Sequence, residues 1–188
     1  DQTPPVISLI GASSMTLNVG DIFSDPGHSV TDNVNAGLIA TVTGSVNTAT
    51  VGTYPLNYNV SDTAGNVATQ ITRTVSVVDN VSPDVTAPAN ITVAASDASG
   101  TTATQSAIVS FIAAATATDA VDGPRSVTHD APVTFPLGPT IVTFSATDLS
   151  ANTGQAQATV TITDQTPPVI SLIGASSMTL NVGDIFSD

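Results

Sequence analysis

The sequence contains no cysteine and no tryptophan, and only five Phe and two Tyr among its 188 residues. Lysine and glutamate are missing as well: both basic residues are arginines, Arg73 and Arg125, and all fifteen acidic residues are aspartates. Each absence excludes something. Without cysteine there is no disulfide staple, so stability rests on packing, backbone ladders or a bound metal. Without lysine, Lys–Asn cross-links cannot form. The scarcity of long unbranched side chains disfavours helix, whereas the abundant Thr and Val suit pleated strands and Asp suits turns. Two arginines against a formal net charge of −13 cannot build the cationic footprint that nucleic acid or an anionic membrane surface requires. Those partners are set aside. No apolar run approaches the roughly 20 residues of a membrane span, so no membrane insertion is expected. No basic leader with a cleavage site opens the chain, and the expectation is a mature interior segment.

Charged residues make up only 9% of the chain, so the acidity is gathered into particular loops rather than spread over a halophilic surface. The strongest single feature is a repeat. Residues 164–188, DQTPPVISLIGASSMTLNVGDIFSD, reproduce residues 1–25 letter for letter, a period of 163 residues. Fixed-period identity marks an array of long, nearly identical units. Inside the period a weaker correspondence appears. TDNVNAG (31–37), GTYPLNYNVSDTAGN (52–66) and TRTVSVVD (72–79) are echoed by TDAVDG (118–123), FPLGPTIVTFSATDLSAN (135–152) and ATVTITD (158–164). The expected organisation is therefore one domain at 1–79, a second at 80–163, and the opening strands of the next repeat at 164–188, conformed like residues 1–25.

Alternation places the strands. Leu56, Tyr58 and Val60 interleave with Asn57 and Asn59, and Val142, Phe144 and Ala146 recur at the matching place. Val75 and Val77, then Val160 and Ile162, mark the last strand of each domain. Arg73 breaks the apolar phase, which calls for a bulge, an edge position or a carboxylate partner. The Ala-rich run Phe111–Ala117 is read as a strand, since its threonines and its place before TDAVDG outweigh its alanines. About seven short strands per domain of roughly 80 residues give an all-β fold of immunoglobulin-like sandwiches in series.

TPPVISL, VGDIFSDPG, TDNVNAG, VGTYPLNYNVSDTAGN and TRTVSVVD make the first domain resemble a family of bacterial Ig-like surface domains of unknown function. PANITV (88–93), ATATDAVDG (115–123) and FPLGPTIVTFSATD (135–148) make the second resemble a hyalin repeat. The resemblance implies a sandwich fold, an extracellular or cell-surface location, tandem occurrence in adhesins and stalks, and no enzymatic activity. Two departures stand out, Asn35 where the family commonly has Asp and SAN (150–152) where it commonly has AGN.

In such a sandwich the loop after the second strand, the loop before the last strand and the lead-in to the first all lie at one end, and here those are the acidic places. Asp1, Asp32, Asn35, Asp62 and Asn66 meet in the first domain; Asp79, Asp119, Asp122, Asp148 and Asn152 in the second; Asp164 opens the third junction. Calcium takes about six to eight oxygen ligands from carboxylates, amides, backbone carbonyls and water, which these clusters supply. The equal spacings Asp62 to Asn66 and Asp148 to Asn152 favour a built site. The plainer alternative is that Asp and Asn stand there as turn formers. An EF-hand is excluded because Val34 stands two residues after Asp32 and no Glu exists for the bidentate position; magnesium ranks behind calcium.

Catalytic signatures are missing. His28 and His129 have no Cys to activate, no GxSxG elbow or phosphate-cradling glycine loop is present, and Asp130 beside His129 would point to the opposite face of a strand. His28, after the DPG turn, reads as an ordinary surface or edge residue. Sequons at Asn59, Asn80 and Asn90 permit glycosylation where the machinery exists. The leading expectation is a calcium-stiffened structural repeat of an extracellular fibre, stalk or adhesin, its partners being neighbouring copies of the repeat. The alternative is an adhesion module that binds surface glycans or proteins, disfavoured by the shortage of Trp, Tyr and Arg.

Overall fold

The computed structural model describes residues 1–173 and 176–185. Its first half carries β1 (Val6–Leu9), β2 (Ser14–Asn18), β3 (His28–Thr31), β4 (Thr41–Thr43), β5 (Gly52–Asn59) and β6 (Ile71–Val78). A two-stranded sheet β1–β3 and a four-stranded sheet β2–β6–β5–β4 close over one core. Ile7, Leu56 and Tyr58 are buried there, with Val30 and Ile71 packed against them. The alternation along β5 is the cause: Leu56 and Tyr58 point inward, while Asn57 and Asn59 stand on the other face.

Between β1 and β2 the chain changes sheets. β1 runs antiparallel to β3, and β2 runs parallel to β6. Gly11, with φ 79°, turns this corner. The corner leaves backbone carbonyls pointing inward, and Arg73 collects them. Its guanidinium donates to the carbonyls of Ile10 (2.8 Å), Gly27 (3.0 Å) and Ala12 (3.0 Å). Asp25 balances its charge at 3.2 Å and also accepts from the Tyr58 hydroxyl at 2.7 Å. Arg73 is thus fully buried on a central strand. Of the three explanations the sequence left open, the carboxylate partner is the one the structure bears out, because buried carbonyls need donors and a buried cation needs an anion. His28 does lie on an edge strand, yet its ring meets Tyr58 edge-on at 5.3 Å and its Nε2 accepts the Ala40 N–H at 3.1 Å.

The second half repeats the plan with more breaks: β7 (Asp84–Thr86), β8 (Ile91–Ala94), β9 (Thr101–Thr102), helix α1 (Ser106–Ala113), β10 (Thr116–Asp119), β11 (Gly123–Pro124), β12 (Thr128–His129), β13 (Thr134–Phe135), β14 (Gly138–Thr147) and β15 (Thr153–Thr163). β7 pairs antiparallel with β10, then β8 crosses to run parallel to β15, the same change of sheets as before. Val142, Phe144, Val160 and Ile162 line its core with Phe135, Ile108 and Phe111. Six strands in the first half and nine in the second, four of them only two residues long, stand against the seven expected of each, because the connections of the second half are pinned by these two-residue pairings.

Two expectations are corrected. Phe111–Ala113 closes a helix, and only Thr116 and Ala117 of the presumed strand lie in β10. Ile108 and Phe111 are buried three residues apart, a helical spacing, and the Gln105 side chain caps the N–H groups of Ala107 (2.7 Å) and Ile108 (3.2 Å). Phe111 then packs edge-on against Phe144 at 5.7 Å. Secondly, residues 164–173 and 176–185 form no strand, although residues 1–25 with the same sequence form β1 and β2. The partners that hold β1 and β2 are β3 and β6, and among the described residues 164–173 and 176–185 pair with no strand of that kind.

Candidate cation sites

Three loops meet at one end of each half. The first is the lead-in, an Asx turn in which Asp1 Oδ1 accepts the Thr3 N–H at 3.0 Å; Asp79 Oδ1 accepts the Val81 N–H at 3.0 Å in the same way. The second follows β3 or β10. Asp32 Oδ2 takes the N–H groups of Val34 (3.0 Å) and Asn35 (2.7 Å), and Asp119 Oδ1 takes those of Val121 (2.8 Å) and Asp122 (2.9 Å). The third lies before the last strand. Asp62 and Asp148 each accept the backbone and side-chain amides of the Asn four residues on, at 2.6–2.7 Å. That Asn reaches back to the lead-in: Asn66 Nδ2 donates to the Asp1 carbonyl at 3.3 Å, and Asn152 Nδ2 to the Asp79 carbonyl at 3.1 Å. One hydrogen-bond pattern is therefore built twice from sequences that are only weakly alike.

The carboxylates spend part of their acceptor capacity on loop amides, and their oxygens converge. Asp1, Asp32 and Asp62 present oxygens all within 4.8 Å of one another, and so do Asp79, Asp119, Asp122 and Asp148. Asp79, Asp119, Asp148 and Asp62 are buried. Asp79 Oδ2, Asp119 Oδ2 and Asp32 Oδ1 are shut away from solvent with no hydrogen-bond partner. Such oxygens are costly unless something positive meets them. The Asn66 amide holds the pKa of Asp62 below its ordinary value against the upward pull of burial, and the N–H groups of Asp122 and Val121 do the same for Asp119. A set of carboxylate oxygens, some of them orphaned, fits a hard divalent cation of the calcium type.

The two clusters differ at one position. Asp122 in the second, whose Oδ2 accepts the Leu149 N–H at 2.7 Å, corresponds to Asn35 in the first, whose Oδ1 accepts the Thr63 N–H at 3.4 Å. Of the eleven expected ligands, ten fall in or beside the two clusters, with Asn66 and Asn152 acting through hydrogen bonds that orient the carboxylates. Asp164 does not join them. Its Oδ1 closes the same Asx turn onto Thr166 at 2.9 Å, but it lies beside Asp97 and Leu137, away from either cluster. Asn33 was missed: its Nδ2 donates to Asp1 Oδ1 at 3.3 Å. It sits in TDNVNAG next to Asp32, so its loop was visible, but the matching Ala120 hid its role. His129 and Asp130 make separate contacts, Nδ1 accepting the Ala131 N–H and Oδ1 the Thr143 N–H.

Residues 7–77 match the family model described as bacterial surface protein, Ig-like domain. Over 97% of its length the chain is 30% identical to hyalin of the sea urchin Strongylocentrotus purpuratus, and it spans 16% of that protein. Solved structures are more distant. A lipoprotein of Bacteroides thetaiotaomicron aligns over 77% of this chain and 61% of its own, at 19% identity and a TM-score of 0.35. The EC1-2 fragment of human mucin-like protocadherin aligns over 87% of this chain and all of its own, at 10% identity and a TM-score of 0.30. The matched family is described by its place and its fold, not by a reaction.

Proposed function

We propose that the chain is a structural, adhesion-type repeat unit of an extracellular or cell-surface protein, stiffened by calcium held at its acidic loop clusters. The observation that carries this reading is the duplicated cluster with orphaned, buried carboxylate oxygens. The match of residues 7–77 to bacterial surface Ig-like domains and the similarity to hyalin supply the setting. Domains at 1–79 and 80–163, with the second as a hyalin-type repeat, complete the proposal.

The second cluster sits where it can stiffen a junction. Asp79 follows directly on β6, the last strand of the first half, and its side chain joins loops of the second half. A cation held by Asp79, Asp119, Asp122 and Asp148 supplies positive charge that links the end of one sandwich to the loops of the next. Without it four carboxylates repel and the junction works as a hinge.

Heating the chain in calcium and in excess chelator tests the proposal. Binding to the folded state alone stabilises by about 2.7 kcal/mol at a hundredfold excess over Kd, so calcium is expected to raise Tm by several degrees, magnesium by less. Equal melting in calcium and chelator would refute the metal reading and return these aspartates to turn formation.

A further inference from the structure

We propose, on the calcium reading of the first cluster, that His28 is a latch that releases the cation from that cluster when its ring takes up a proton. The starting observation is the direction of one hydrogen bond. His28 Nε2 accepts the N–H of the buried Ala40 at 3.1 Å, so the bond holds only while Nε2 carries no proton. His28 opens β3 and Ala40 stands just ahead of β4, strands of different sheets. The chain between them carries Asp32 and Asn35. Its near end is well fastened, because Asp32 Oδ2 takes the N–H groups of Val34 and Asn35, and the Asn35 side chain bonds Thr63. Beyond Asn35 the fastening is thin. Among the described residues, the Ala40 N–H to His28 is the one hydrogen bond that residues 36–40 make.

Protonation reverses the contact. Imidazole is the side chain that changes charge between pH 8 and 5, and a protonated Nε2 donates, so two donors then face each other and the buried Ala40 N–H loses its acceptor, which is costly. The ring's other neighbours do not restore the bond. They are Tyr58 on β5, edge-on at 5.3 Å, with Asp25 ahead of β3 and Arg73 on β6; β1 and residues 36–40 bring no titratable group. Asp25 is already committed to Arg73 at 3.2 Å and to the Tyr58 hydroxyl at 2.7 Å, so the added proton meets a guanidinium as well as a carboxylate. With the latch open, residues 36–40 come loose and Asp32 loses the support that sets its oxygens beside those of Asp1 and Asp62. The second cluster has no such latch. Ala115 stands at the place of His28 when TDAVDG is laid on TDNVNAG, and the loop there is closed by backbone alone, through the pairing of β10 with β11 and the Arg125 N–H on the Ala117 carbonyl at 3.0 Å. Mild acid therefore empties the first cluster before the second.

Calcium titration calorimetry at about pH 7.5 and about pH 5.5, on either side of the histidine range, tests the latch site by site. Asp119→Asn leaves the first cluster to be read, and Asp62→Asn the second. The Kd of the first is expected to rise about fivefold to tenfold at the lower pH, as the fraction of chain with a closed latch falls, while that of the second stays nearly constant. His28→Gln supplies an oxygen that accepts the Ala40 N–H and does not titrate, so it should flatten the dependence at the first site. Equal pH dependence at the two sites, or one that persists in His28→Gln, would overturn the latch and leave calcium binding intact; no binding to either chain at the higher pH would overturn the calcium reading and the latch with it. The unaltered chain in chelator gives a reading free of both variants and metal. There the Ala40 amide signal should shift and lose its protection from exchange in step with protonation of the His28 ring, and an amide indifferent to that step would also sink the proposal.

Discussion

At the scale of single residues, two side chains decide the most. Arg73 looks misplaced in an apolar phase until its partners are known, and those lie 46 to 63 residues away in sequence. The sequence could therefore show that Arg73 needed an anion but not that Asp25 supplies it, since four other aspartates precede Arg73. Asp25→Ala leaves a buried guanidinium short of its counter-ion, and a loss of about 2–3 kcal/mol is expected in urea denaturation, below the value for a fully buried pair because Asp25 is partly exposed. The pH dependence follows. Burial pulls the Asp25 carboxyl upward, but the Gly27 N–H, the Tyr58 hydroxyl, Arg73 and His28 together outweigh it and lower its pKa below the ordinary 3.8. A carboxyl lowered on folding stabilises the fold above its unfolded pKa and ceases to do so as pH falls through the folded one. Stability in chelator should hold at neutral pH and drop below about pH 4, less steeply in Asp25→Ala. The second residue is Asn35. Replacing it as Asn35→Asp gives the first cluster the fourth carboxylate that the second has in Asp122, and its calcium affinity is expected to rise by about tenfold or more, the effect of ligand charge. An unchanged affinity would mean that position 35 does not face the ion.

At the scale of elements, alternation was a reliable guide where one face of a strand is buried. β5, β6, β14 and β15 lie where the sequence put them, with Leu56, Tyr58, Val142 and Phe144 inward. It failed where another period was present in a short run: Ile108 and Phe111 set a helix that the threonines after Ala115 concealed. It also failed where a strand depends on a distant partner. Residues 164–173 and 176–185 have the letters of β1 and β2 yet form no strand among the described residues, so local pattern alone does not make the strand. One contact was invisible in any pattern. A Cβ on Gly154 in β15 would run into the carbonyl of Pro83, just ahead of β7. Gly154→Ala must push the lead-in off β15, and a destabilisation of roughly 1–3 kcal/mol is expected. Chemical denaturation followed by the second half's own amide signals would read it; an unchanged midpoint would show that the lead-in gives way freely.

At the scale of the whole molecule, the weak internal echo proved the more informative signal. It located both clusters, because equal spacing from Asp62 to Asn66 and from Asp148 to Asn152 reflects one loop hydrogen-bond pattern made twice. What it could not give was the division of labour within a cluster, in which loop N–H groups take one oxygen of Asp32, Asp79 and Asp119 and leave the other without a partner, while both oxygens of Asp62 and Asp148 accept from the Asn four residues on. The second cluster, with four carboxylates and its Asp79 and Asp119 oxygens buried without partners, should fill at lower calcium than the first. Calorimetric titration of calcium into chelator-stripped chain tests the account most directly. Two sites of unequal affinity are expected, the tighter one lost in Asp119→Asn while the weaker remains. A titration with no binding heat and no calcium retained by the chain at millimolar concentration would contradict it.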